Sequence, residues 1–314
     1  FHDNWLTQAS SRPAIQGGVR SCIFLSMREF ILQNEPIIRL SAFLGVMAVM
    51  VILQSLFPRK ATVAMAPVRW RTNGLLVVID SVLVRLLGPL AAVGVAAWAD
   101  RHGIGLLALI EAPLWLEMVV AVIVLDLAIY AQHVATHHIP MLWRFHQVHH
   151  ADRDIDATTG VRFHPAEIVV SMLYKGVVVL LLGPAVVAVI LFEALLNGSA
   201  IFNHANVALP RWLDQVLRLV VVTPDTHRVH HSVHGAEANR NFGFFLSVWD
   251  RLFGTYQAQP RDGHAAMVIG LPAPASVRAG ARPDTLDWSL LAPFRQAADP
   301  APASEDDKKS AVMS

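Results

Sequence analysis

The chain has 314 residues, of which 54% are hydrophobic and only 16% charged, and its mean hydropathy is +0.46. A soluble globular domain has about a quarter of its residues charged, so this composition places most of the chain in lipid. A net charge of +1 and a pI near 8.2, with basic residues scattered through short loops, exclude nucleic acid as a partner. The single Cys22 excludes an intrachain disulfide, a thiolate zinc site and a cysteine-held iron–sulfur cluster. Any metal is therefore held by nitrogen and oxygen.

Residues 1–26 are polar and show neither the charged start with apolar core of a signal peptide nor a clear periodicity. Met27 opens the string MREFILQNEP, so 1–36 are expected to be an N-terminal extension without function before Met27. The first apolar stretch, Leu40 to Phe57, is close to the roughly 20 residues that cross a bilayer. Arg59 and Lys60 follow directly, with Arg69 and Arg71 beyond, which makes this loop cytoplasmic and the stretch an anchor. A second stretch, about Leu75 to Trp98, is interrupted by Asp80 and Arg85 and is expected to return the chain. Asp80 and Arg85 either pair within the membrane or snorkel to opposite ends. The third, Pro113 to Ala131, brings the chain back to the cytoplasmic side. Ile168 to Leu182 and Ala185 to Phe202 flank Gly183 and Pro184, which predicts a tight helical hairpin through most or all of the membrane. The organisation expected is a membrane domain over 37–270 and a flexible Pro/Ala-rich tail over 271–314.

Histidine is concentrated in three clusters: HVATH at 133–137, HQVHH at 146–150 and HRVHH at 227–231. Helical residues three and four apart share a face, so each cluster presents its imidazoles together. With His204, the candidate ligands are His133, His137, His146, His149, His150, His204, His227, His230 and His231. One metal takes at most six ligands, so nine candidates indicate two. Neutral imidazoles add no charge and leave a metal strongly electrophilic. Iron can cycle through oxidation states to activate O2 and zinc cannot, so two Fe ions are expected, with Zn as a substitute in isolated protein. His164 precedes Pro165 and Glu167 at a helix start, where capping competes with ligation. His2, His102, His234 and His264 are expected to be structural or solvated.

The order H-x3-H, H-x2-H-H, apolar hairpin, H-x2-H-H resembles the fatty acid hydroxylase and sterol desaturase superfamily of membrane di-iron enzymes. The strings PMLWRFHQVHH, TTGVRFHPAE, FNHANV, THRVHHS and NFGFFLSVWDRLFGTY carry the resemblance, which covers roughly 75–256. It implies an all-α, polytopic helical membrane protein with a cytosolic helical cap holding a histidine-rich dimetal site. It also implies O2 as co-substrate, and a lipid reaching the site from the bilayer. With no HPGG haem-binding motif in the chain, electrons come from an external donor, a ferredoxin or cytochrome with its reductase. The expected site of action is a bacterial inner membrane with the histidines on the cytoplasmic side. Some relatives carry a further histidine near His204, where this chain has Ala200 and Ala208, so Asn206 or a water is the candidate for that position. His138 is a neighbour rather than a ligand. Asp126, Asp225 and Asp152 are candidates to orient the imidazoles from behind. Trp249, Asp250 and Arg251 are expected to pack the cap.

The expected reaction is O2-dependent hydroxylation of a lipid C–H bond, fatty acyl or sterol-like, with desaturation at the same site as the alternative. A metal transporter would carry its ligands at mid-membrane, and a b-type cytochrome would hold haem between single histidines on facing helices. Both are remote alternatives.

Overall fold

The computed structural model describes residue 30 and residues 34–62, 65–110, 112–271 and 282–295. The expectations for residues 1–26 and for Cys22 lie outside these. Among the described residues the fold is all-helical, with only three isolated β-bridges. Its longer helices are α1 (Glu35–Leu56), α2 (Ala66–Leu86), α3 (Ala92–His102), α4 (Leu114–His138), α5 (Pro140–His150), α6 (Pro165–Leu182) and α7 (Val186–His204). Four of them, α1, α4, α6 and α7, are long and apolar enough to cross a bilayer, which makes the chain an integral membrane protein.

The hairpin forms where Gly183 and Pro184 place it. Gly183 ends α6 in the left-handed region at φ 62 and lies against Gly105, where a Cβ would sit 2.3 Å from the Gly183 Cα, so neither position admits a side chain. With 18 and 19 residues, α6 and α7 are each about 27 to 28 Å long, close to the thickness of a hydrocarbon core. α4 and α6 run in register. Ser171 Oγ donates to Gln132 Oε1 at 3.2 Å and Tyr174 Oη to the Ala128 carbonyl at 3.1 Å. His138 and Pro165 therefore stand at one level, and Leu56 and His204 are the ends of α1 and α7 on that same side, because Pro58 bridges Val207. Between the helices Glu193 pairs with Lys175 at 2.7 Å and with Arg39 at 2.9 Å, an intramembrane carboxylate held by two cations.

The second apolar stretch is not one crossing. Pro89 offers no N–H and its ring opposes a helical residue before it, so α2 stops at Leu86, a 3-10 turn covers Gly88–Leu90, and α3 starts anew at Ala92. Ala92, Ala96, Ala97 and Ala99 of α3 are buried, small enough to wedge the helix among Leu125, Val179, Val189 and Phe192 of α4, α6 and α7. Asp80 and Arg85 form no ion pair with each other among the described residues: five residues apart on a helix they project about 140° from one another.

Beyond α7 come α8 (Arg211–Leu217), α9 (Pro224–His230) and α10 (Val248–Leu252). Within the segment expected to be a flexible tail, 282–295 instead fold onto the site end as α11 (Leu286–Leu291) and a short turn. The cause is an apolar anchor that the Pro/Ala-rich composition masked: Trp288 and Ala292 pack on Ala151, and Arg162, itself fully buried, donates to the Pro283 carbonyl and to Ser289 Oγ.

Candidate dimetal centre

The site is assembled at the ends of α4 and α7 and along α5 and α9. α9 is started by a capping box: the Thr223 amide donates to Thr226 Oγ1 at 3.0 Å, and Pro224 takes the first position. α5 begins with Pro140 directly after α4 ends, which turns the second cluster back over the first. All nine candidate histidines are buried.

The structure brings the nine imidazoles into two groups. His133, His137, His146, His150 and His230 form one, His149, His204, His227 and His231 the other, and in each the ligand atoms lie within 4.8 Å of one another. This partition explains the repeated H-x2-H-H string. On α5 the i, i+4 pair His146 and His150 faces the first group while His149 faces the second; on α9 the assignments reverse, with His227 and His231 in the second group and His230 in the first. Each doublet therefore straddles both groups.

Partner chemistry sets the tautomers. Carbonyl oxygens only accept, so His133 Nδ1 donates to Phe242 O (2.8 Å), His149 to Arg162 O (3.2 Å), His204 to Ala200 O (2.6 Å) and His230 to Arg240 O (2.8 Å). His146 Nδ1 donates to Glu167 Oε1 at 2.7 Å. Each of these rings keeps a lone pair on Nε2. In the first group all five Nε2 atoms are buried without a hydrogen-bond partner. In the second, His204 Nε2 stands 3.0 Å from His149 Nε2, two lone pairs face to face, and 3.0 and 3.2 Å from the Nε2 atoms of His227 and His231. Such clusters are repulsive and costly when empty of positive charge. A bound cation turns each lone pair into a ligand, so the residues fit a metal in both groups. His227 Nδ1 and His231 Nδ1 have no partner.

Apolar rings wall the site. Phe163 stacks on His149 with centroids 4.6 Å apart, and Phe242 lies edge-on to His133 and His137 at 5.6 and 5.2 Å. Burial, with neighbouring imidazoles adding to it, holds His149, His150, His227 and His231 well below the ordinary 6.5, and takes His230 down to about 3. The folded metal-free protein then binds fewer protons at these rings than the unfolded chain. Its stability is complete above 6.5 and declines as pH falls below that value toward the folded ones. The melting temperature of metal-free protein is accordingly expected to be flat above neutrality and to drop on acidification below about pH 6.5; a flat profile into acid would show the rings to be solvated.

The remaining sequence candidates take other roles. His164 caps α6, its Nδ1 accepting the Ala166 amide at 3.0 Å, and it joins neither group. Asn206 is a clamp: Oδ1 accepts from the Lys60 amide at 3.1 Å and from Arg228 at 3.2 Å, and Nδ2 donates to the Lys60 carbonyl at 2.7 Å. It fills no position beside His204. None of the three aspartates reaches an imidazole of either group. Asp126 is seven residues, about 10 Å of helix, below His133; it accepts instead from Trp249 Nε1 (2.8 Å) and the Leu246 amide (3.0 Å). Asp225 pairs with Arg59 at 2.8 Å and Asp152 with Arg69 at 2.5 Å. The carboxylate that does orient a ligand is Glu167, in the first turn of α6, a role that sequence reasoning missed. The RFHPAE string held the signal, since a capping His and Pro fix the helix start and turn Glu167 inward. His138 is exposed and bonds only the Val134 carbonyl, and Trp249 and Asp250 pack the cap.

Residues 118–255, from the second turn of α4 through α10, match the fatty acid hydroxylase family model. Over these residues the chain is similar to the fatty acid hydroxylases. Among its relatives, ornithine lipid hydroxylase OlsE of Rhizobium tropici is 30% identical over 149 residues, 48% of this chain and 44% of that protein. Alkylglycerol monooxygenase of Homo sapiens is 28% identical over 154 residues, 48% of this chain and 32% of that protein. Cholesterol 25-hydroxylase of Rattus norvegicus is 25% identical over 147 residues, 46% and 48% of the two chains. The chain thus spans less than half the length of each of these relatives. No solved structure matches it. The hydroxylase match covers every histidine of both groups, since His133 to His231 all fall within it.

Proposed function

We propose that the protein is a membrane di-iron oxygenase that hydroxylates a lipid C–H bond using O2 and two external electrons. The observation that carries this reading is the pair of buried imidazole groups, in each of which the ligand nitrogens lie within 4.8 Å of one another, the five Nε2 atoms of the first group having no hydrogen-bond partner. His133, His137, His146, His150 and His230 would hold one iron, and His149, His204, His227 and His231 the other. Bound there, the irons would supply the redox chemistry by which O2, two electrons and two protons convert a C–H bond to an alcohol and water.

The chain's own residues position and protect. Backbone carbonyls and Glu167 fix the rings, and Phe163, Phe242 and Trp143 exclude water from them. The site stands at one end of the four apolar helices, where a lipid can reach it without leaving the bilayer. Arg59 and Lys60 flank that end, which supports a cytoplasmic orientation in a bacterial inner membrane. The catalytic unit is the domain over 37–270 with 282–295 strapped to it. Hydroxylation is favoured over desaturation because the relatives above are named as hydroxylases and monooxygenases. Electrons would come from a separate ferredoxin or cytochrome.

Lipid analysis of cells with and without the chain under labelled O2 tests the reading. Label in a new lipid alcohol is expected; an unlabelled double bond would assign desaturation, and unchanged lipids would overturn both. Glu167→Gln is expected to weaken metal binding about 10–100-fold by releasing His146, measured by metal competition on purified protein.

A further inference from the structure

The cap is not confined to the surface. Asp126 lies twelve residues before the end of α4, about 18 Å down its axis, and its carboxylate accepts from the amides of Phe245 (3.3 Å) and Leu246 (3.0 Å) and from Trp249 Nε1 (2.8 Å). On α6, in register with α4, side chains exposed to the surroundings are already apolar at Val170 and Leu173. The segment around 245–249 therefore reaches deeper than the first lipid-facing turn of α6.

Non-helical backbone survives at such depth only where its polar groups are satisfied internally. Here they are. Asp250 accepts the amides of Phe242 (2.7 Å) and Gly243 (2.8 Å), the Val222 amide donates to Phe245 O (2.9 Å), and the Ser247 amide to Val220 O (3.0 Å). The outer surface of this folded segment is mainly apolar; of its exposed polar side chains, Gln215 lies on α8 and Arg251 is turned back onto the Ser247 and Arg218 carbonyls. Leu219, Val220, Leu252 and Phe253 are all more than half exposed, and Phe253 stacks on Tyr130 of α4 at 5.3 Å. The neighbouring α8 presents Trp212 and Arg211, an aromatic and a cation of the kind that settle at headgroups.

We propose that residues 212–220 and 248–253 form a lobe immersed in the bilayer leaflet nearest the histidine site, its apolar tips among acyl chains and Trp212 and Arg211 at the headgroups. The proposal rests on the membrane reading above. A soluble protein partner is the competing occupant; depth along α4 and the internal pairing of the backbone at 218–222 and 245–247 favour lipid. Asp250 of the lobe accepts the Phe242 amide at 2.7 Å, next to the Phe242 and Arg240 carbonyls that orient His133 and His230, so the lobe is tied to the histidine site.

Site-directed nitroxides test this on the full chain. In a Cys22→Ser background, Val220→Cys, Leu252→Cys and Phe253→Cys are labelled and reconstituted in phosphatidylcholine/phosphatidylglycerol vesicles, with Leu173→Cys on α6 as lipid reference and Arg261→Cys as water reference. Metal content reports that each variant is folded, and Leu252→Cys, a surface change, guards against loss of Phe253→Cys. Collision with O2 over a water-soluble nickel complex is expected to shift at all three sites to the contrast found at position 173. Nickel accessibility equal to that at 261 would overturn the lobe while a shielded 173 kept the membrane reading. Shielding that vanished after a high-salt wash would identify a protein partner and overturn it too, and a nickel-accessible 173 would overturn both.

Discussion

His204→Ala is expected to abolish metal binding in the second histidine group while the first retains its ion. His204 Nε2 is the atom to which the other three converge, at 3.0, 3.0 and 3.2 Å, and its loss leaves His149, His227 and His231 around an enlarged gap. The first group draws none of its five nitrogens from α7, so elemental analysis of the purified variant should give half the metal of the parent, with the proposed hydroxylation lost. Unchanged metal content would sink the two-ion assignment. Asn206 cannot substitute, because both ends of its amide are tied to Lys60.

Arg69→Met is expected to be the most destabilising single change, by about 3–5 kcal/mol. The guanidinium is fully buried and binds Asp152 at 2.5 Å, Asp156 at 2.9 Å and the Asp154 carbonyl at 2.7 Å. Burial alone would raise the Asp152 carboxyl, but Arg69, with help from Arg162, overrides it and holds Asp152 below its ordinary 3.8. That stabilisation is present above 3.8 and is lost as pH falls through the lower folded value, so it is complete at neutrality. Methionine fills the volume and leaves buried carboxylates without their cation. Arg153→Ala, which removes an exposed partner of Asp284, should cost no more than about 1 kcal/mol. Thermal unfolding in detergent compares the two; equal losses would mean that the Arg69 cluster is solvated.

The histidines were legible because their spacing is a helix-surface statement: i, i+3 and i+4 place rings on one face whatever the rest of the fold does. The hairpin was legible because Gly183 and Pro184 are local signals. What acts at a distance was not. Asp126 sits on the correct face of α4, yet helical rise carries it out of reach of the clustered imidazoles and into contact with a loop 120 residues later in the chain. Glu167 reaches His146 across 21 residues, a pairing that depends on how α5 returns over α6. The break at Pro89 was hidden because hydropathy averages over a turn. Trp288 was hidden because one aromatic hardly moves the composition of a 44-residue tail, although Trp288 and Ala292 on Ala151, with the Arg162 hydrogen bonds, hold 282–295 in place.

Four of the five acceptors that aim the ligand rings belong to the backbone, at Phe242, Arg162, Ala200 and Arg240. Peptide oxygens survive every substitution, so the aim of His133, His149, His204 and His230 is inherited with the chain path and is robust to sequence drift at the positions that set it. Among these five rings, only His146 is oriented by a replaceable side chain. Divergence among descendants of this chain can therefore remodel the wall around the two histidine groups while leaving the aim of these four rings unchanged.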